Sequence, residues 1–303
     1  MLESAPPRGL GERLMALRNC PALASLPPPE LAWLARSARE RDFQPGETLA
    51  MQGHPADAVL LLLSGQIQLT HAGRPLREAE PFEALGLLPL AARIPHPFGA
   101  TALSAIHALE IDADAVGEVL EDDAAFFGRL LQLAAAQARV AQDRSPVIDG
   151  PGSARSELGD DGGGDAAGGA LGTARTLLVL RDTALFRKAP LDGLAAFAKK
   201  VRDVQLPAGQ RRSLAPGELA IIAAGQADVV GGGAGRLGAG RGAVVGAFEA
   251  LARTAPPGDL HARTDVHLLC APISDLYDVL EDHYGMGSRL LGELLGDLSL
   301  AIG

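Results

Sequence analysis

The chain has 303 residues, 47% of them hydrophobic and 21% charged, which is enough for two ordinary domains and excludes global disorder. Its net charge of −10 argues against a surface built to hug phosphate backbones, so nucleic acid is not an expected partner. No apolar run approaches the roughly 20 residues of a membrane span, and Met1 to Arg13 lacks the apolar core of a secretion signal, so no membrane association and a cytoplasmic location are expected.

In chain order, Glu30 to Arg39 places Leu31, Leu34, Ala35 and Ala38 on one face of a predicted helix. Short strand-like runs follow at Glu47–Met51, Ala58–Leu63 and Gln66–Thr70, separated by glycines at hairpin positions. A further strand is predicted at Ala102–Ile111, then an N-cap at Asp114 and a closing helical stretch. Asp143–Thr173 loses all apolar periodicity to Gly, Asp, Ser and Pro and reads as a flexible linker. The expected domains are therefore residues 1–142 and 174–303.

The second half repeats the first. Ala16–Glu47 aligns without a gap to Val179–Gln210, an offset of 163. Later matches, such as VLED at Val119–Asp122 and at Val279–Asp282, share an offset of 160. One short deletion opposite Gln52–Asp57 reconciles the two, so the chain is an internal duplication. The second copy carries a helix with Leu194, Phe197, Ala198 and Val201 on one face, strands at Glu218–Ala223, Ala227–Val230 and Ala262–Ala271, and an N-cap at Ser274.

The order of helix, many strands and two helices, with Gly46, Gly53 and Gly65 in PGETLAMQGHPADAVLLLLSGQIQL, resembles the cyclic nucleotide-binding domain family. The resemblance covers Cys20–Gln142 well and Leu180–Ile302 more weakly. It implies an α+β fold of two tandem domains, each a jelly-roll-like β-roll flanked by helices, in an arrangement similar to the regulatory subunit of cAMP-dependent protein kinase. No helix-turn-helix accompanies either repeat, so the family's DNA-reading role is not expected.

The resemblance also implies a phosphate-binding cassette, with a Gly-Glu start that takes the ribose hydroxyl and an Arg ten residues after the Gly that pairs with the cyclic phosphate. In the first copy the cassette is GLLPLAARIPHPFGATA, Gly86–Ala102, where Leu87 replaces the Glu and His96 the Arg. In the second it is GAFEALARTAPPGDLHA, Gly246–Ala262, where Ala247 replaces the Glu and Pro256 the Arg. Two readings stand. Either the pockets have become structural, or they take a changed, weak or non-standard nucleotide ligand. Arg93 and Arg253, each three residues before the lost Arg, are solvated loop residues on the first reading and relocated anion contacts on the second.

Other motifs carry little. Gly233–Gly238 satisfies G-x-G-x-x-G, but no helical period follows it, so a hairpin loop is expected. His261 and His267 are six residues apart, about 20 Å along a strand, and no metal site is expected. Cys20 and Cys270 read as buried hydrophobes. No nucleophile elbow, Walker loop or positioned acid pair is present, so neither an enzyme nor a cofactor is expected. Leu291, Leu294, Leu295, Leu298 and Ile302 form one stripe of the last helix, which either packs on its own β-roll or forms a homodimer seam. The expected function is regulatory or scaffolding, through contact with a protein partner that the sequence does not identify. The alternative is a sensor of cyclic nucleotides or other small anions that signals by movement of the closing helix of each domain.

Overall fold

A computed structural model describes residues 9–141, 147–148, 172–231 and 236–302. The chain divides into two compact units, residues 1–130 with 295–303 and residues 131–294.

The first unit opens with α1 (Leu10–Asn19) and α2 (Pro28–Ser37). Its strands are β1 (Arg39–Phe43), β2 (Thr48–Ala50), β3 (Ala58–Ser64), β4 (Ile67–His71), β5 (Arg74–Ala79) and β6 (Ala84–Leu85). The short helix α3 (Leu87–Ala92) precedes β7 (Gly99–Ala102) and β8 (Ile106–Asp112), and α4 (Ala113–Asp122) leads into α5 (Ala124–Ala141). Two antiparallel sheets, β1-β8-β3-β6 and β2-β7-β4-β5, form the β-roll. Leu60, Leu62, Ile67, Leu69 and Ile106 fill its interior. Val59 and Leu61, on the opposite face of β3, are also buried, beneath α3 and α4. Both faces of that strand are covered, which is why it reads as an unbroken apolar run rather than an alternation.

The second unit contains β9 (Val147–Ile148), α6 (Thr173–Asp182), α7 (Leu191–Ala198), β10 (Arg202–Leu206), β11 (Arg211–Ser213), β12 (Glu218–Ala224), β13 (Ala227–Val230), β14 (Arg236–Ala239) and β15 (Val244–Val245). It continues with α8 (Ala247–Ala252), β16 (Asp259–Ala262), β17 (Val266–Pro272), α9 (Ile273–Asp282) and α10 (Tyr284–Ile302), whose residues from Leu295 on are grouped with the first unit. Its sheets, β10-β17-β12-β15-β9 and β11-β16-β13-β14, repeat the first unit's order with β9 added at one edge. The β-bulges repeat as well, between Leu62 and Ser64 on β3 and between Ile222 and Ala224 on β12. The fold is thus α+β, with two tandem β-rolls flanked by helices.

Several expectations need correction. The strands expected at Ala102–Ile111 and Ala262–Ala271 are each two strands, because the chain crosses from one sheet to the other at Leu103–Ala105 and Arg263–Asp265. His261 and His267 therefore lie on different strands. The N-caps are Asp112, whose carboxylate accepts from the Asp114 N–H, and Pro272, rather than Asp114 and Ser274. The helix expected to reach Arg39 ends at Ser37, and Arg39 begins β1. Of Asp143–Thr173, only Val147–Ile148, Gly172 and Thr173 lie among the described residues. The first two pair with Val244–Val245. β13 and β14 pair antiparallel, and of the G-x-G-x-x-G string expected to form a hairpin loop, residues 233–235 lie outside the described residues.

Candidate ligand pockets of the two β-rolls

In the first unit the cassette begins where the chain leaves β6. Gly86 adopts φ +88° and caps α3, which closes at Arg93 with a second left-handed residue, φ +53°. The Leu90 N–H donates to the Gly86 carbonyl at 3.0 Å and the Ile94 N–H to the Pro89 carbonyl at 3.0 Å, giving a tight single-turn frame. Leu87 is 1% exposed, so the position implied for the ribose-binding Glu holds a packed apolar side chain.

The His96 backbone is clamped on both sides. The Gly53 N–H donates to its carbonyl at 2.9 Å, and its own N–H donates to the His54 carbonyl at 2.8 Å. Its ring reaches the start of the cassette, with Cε1 3.4 Å from where a Cβ on Gly86 would sit. Burial pushes the His96 pKa down, against the pull of Asp57 in the other direction. A neutral imidazole donates through one N–H at most, whereas the Arg it replaces is a permanently charged fork. Gly86, Leu87 and His96 are therefore brought together, but Arg93 is directed elsewhere. Its Nη2 donates to Glu121 Oε1 on α4 at 2.8 Å, both side chains being more than half exposed.

The second unit repeats this backbone. Gly246 at φ +79° caps α8, and Arg253 at φ +55° closes it. Ala247 is 1% exposed and Phe248 3%, so the start of this cassette is packed with apolar groups as well. Pro256 is half-buried and has no backbone N–H. Arg253 is exposed and near enough to α9 for its charge to lower the pKa of Tyr277, which burial pushes up.

A charged pair that sequence reasoning passed over joins β11 to β12, with the Glu218 backbone against this second cassette. Arg212 Nη2 donates to Glu218 Oε1 at 2.8 Å, and Glu218 Oε2 accepts from the Ala215 N–H at 3.0 Å. Glu218 is 8% exposed. Its backbone carbonyl lies 2.9 Å from where a Cβ on Gly246 would sit. The signal was present in the repeat, because the aligned positions of the first copy, Leu49 and Ala58, are apolar.

Leu291, Leu294 and Leu295 of α10 are buried by the chain itself. The side chains of Leu298 and Ile302 lie outside the described residues. In the first unit an open cleft of about 750 Å³ is lined by Arg13, Arg36, Asp112, Glu118 and the half-exposed Trp33. No helix among the described residues is long and apolar enough to cross a membrane, and none of their His, Cys, Asp and Glu side chains cluster as metal ligands.

Residues 40–123 match the family model of the cyclic nucleotide-binding domain. No curated protein matches the chain. Among solved structures, the regulatory domain of Toxoplasma gondii PKA with cAMP is similar at 14% identity, covering 95% of this chain and 98% of that one, with a TM-score of 0.36. The regulatory subunit of a cAMP-independent protein kinase A from Trypanosoma cruzi, bound to guanosine, is 14% identical over 92% of this chain and 91% of that one, with a TM-score of 0.36. A cAMP-binding acyltransferase from Mycobacterium smegmatis is 26% identical over 44% of this chain and 42% of that one, with a TM-score of 0.35. The family-model match thus falls within the first unit, whose β-roll the second repeats.

Proposed function

We propose that the chain is a non-enzymatic regulatory protein whose two β-rolls act through protein contacts and no longer grip a cyclic nucleotide in the family's manner. The observation that supports this is the filling of both cassettes: Leu87 and Ala247, each 1% exposed, stand where the resemblance implies the ribose carboxylate. His96 and Pro256 stand where it implies the phosphate Arg. A phosphodiester buried there would lack its charge-assisted partner. The cleft beside Trp33, which mixes an exposed indole with charges of both signs, has the character of a protein-contact surface.

The second reading, a sensor of an anionic ligand in the first unit, is favoured by the half-buried His96 against Gly86. Titration of the full chain with cAMP and cGMP separates the two readings. Binding no tighter than about 30 μM is expected, because a site of about 1 μM that loses a buried phosphate contact loses about 2–5 kcal/mol, or some 30- to 5,000-fold in affinity.

A further inference from the structure

The interior of the second β-roll is apolar, filled by Leu206, Ala220, Ile222, Leu260 and Leu268 among others. On the same face β11 carries a charged side chain, Arg212, which is 30% exposed. Arg212 lies directly opposite Leu260 in the β11–β16 ladder, and directly opposed residues share a face of the sheet. The Arg212 charge acts on the buried thiol of Cys270, itself part of that interior, in the direction that lowers the thiol's pKa. An arginine so placed stays charged and, being only partly hydrated, favours an anion beside it.

The chain supplies one in Glu218, held by Arg212 on one oxygen and by the Ala215 N–H on the other. Arg212 Nε has no hydrogen-bond partner among the described residues, so the fork is only partly used. The Glu218 backbone lines the start of the cassette. The Glu218 carbonyl and Leu214 Cδ1 are the nearest atoms to a Cβ placed on Gly246, at 2.9 and 3.1 Å. In the first unit the Ala58 carbonyl meets Gly86 in the same way. The backbone frame is therefore common to both copies, whereas the charged pair belongs to the second alone, the first having Leu49 and Ala58.

We infer that Arg212 is the anion-receiving group of the second β-roll and that Glu218 is its built-in occupant, standing where the phosphate of a small ligand would otherwise be held. This rests on the proposal that the family's own grip is lost at Ala247 and Pro256, and it explains how the roll dispenses with a nucleotide: its own carboxylate neutralises the interior charge. The ligand class that could replace Glu218 is a small phosphate monoester or diester, whose oxygens match the guanidinium fork.

The test uses the full chain, with inorganic phosphate and cAMP as probes. Glu218→Ala removes the occupant and installs the residue found in the first copy. Arg212→Leu/Glu218→Ala installs the first copy's whole apolar pair. Glu218→Ala should bind phosphate or cAMP at least tenfold more tightly than the wild type, with a Tm that rises with ligand concentration, and the double variant should show neither effect. If Glu218→Ala does not fold in plain buffer, refolding on addition of phosphate but not of chloride at equal ionic strength supports the inference, and failure to refold overturns it. A folded Glu218→Ala with affinity within twofold of wild type overturns it, as does a gain that persists in the double variant. Sub-micromolar cAMP binding by the wild type would overturn the proposed function instead, while the comparison of the two variants would still decide the role of Arg212.

Discussion

Gly86 is packed so closely against Ala58 that a Cβ on it would come within 2.6 Å of the Ala58 carbonyl oxygen, and its φ of +88° is a conformation L side chains rarely adopt. Gly246 repeats the relationship with Glu218, at 2.9 Å. Backbone cannot move aside as a flexible side chain can. Gly86→Ala should therefore cost about 2 kcal/mol or more in urea unfolding, combining left-handed strain of about 1–2 kcal/mol with the clash. Gly246→Ala should cost somewhat less. A loss below about 0.5 kcal/mol for Gly86→Ala would contradict the packing of this cassette.

Asp228 is a fully buried carboxylate on the face of β13 opposite to the core residues Ala227 and Val229. Arg236 Nε and Arg263 Nη2 close over it, the latter at 2.5 Å from Oδ1. Burial pushes its pKa up, but the hydrogen bonds and charges of Arg263 and Arg236 outweigh this and hold it below the ordinary 3.8. A depressed carboxylate contributes stability that is present above the unfolded value and lost as pH falls through the folded one. Asp228→Asn should lower stability at pH 7 by about 1–3 kcal/mol, the two arginines being half exposed. It should also flatten the acid dependence below pH 3.8. Urea midpoints at pH 7 and pH 3 check this, and an unchanged acid slope in the variant would contradict it.

Leu294, fully buried in the chain, gives α10 a structural duty whatever else it does. Leu294→Glu should lower stability by about 3 kcal/mol or more, the size expected for removing a buried Leu and leaving a carboxylate in its place. Thermal unfolding and sedimentation together check this. Weakened self-association at unchanged stability would instead support the homodimer seam.

The domain boundary expected from sequence is tested by limited proteolysis, which should cut first within Asp143–Thr173. Protection of that stretch with earlier cuts inside either half would contradict it.

The repeat and the local order of elements were legible in the sequence because Ala16–Glu47 and Val179–Gln210 align without a gap and the apolar periods of α2, β3 and β12 are strong. The switch of sheets between β7 and β8 was not. It depends on Gly65, at φ +94°, letting the Ala105 carbonyl approach within 2.5 Å of its missing Cβ, a contact between residues 40 positions apart. The cassette positions were found by aligning them, yet their burial was not evident from Leu87 or Ala247 alone. The Arg212–Glu218 pair escaped because each residue taken singly reads as an ordinary strand-end charge, and only the topology pairs them and brings the Glu218 backbone against Gly246.

The most direct measurement of the central claim is calorimetric titration of the full wild-type chain with cAMP and cGMP at pH 8 and pH 6. Burial keeps the His96 pKa below 6.5, so its imidazole is neutral at pH 8 and gains a proton only in more acidic solution. Neither nucleotide should bind more tightly than about 30 μM at either pH, in line with the loss of about 2–5 kcal/mol from a site of about 1 μM, and any residual affinity should grow as the pH falls. Sub-micromolar binding of either nucleotide would contradict the account.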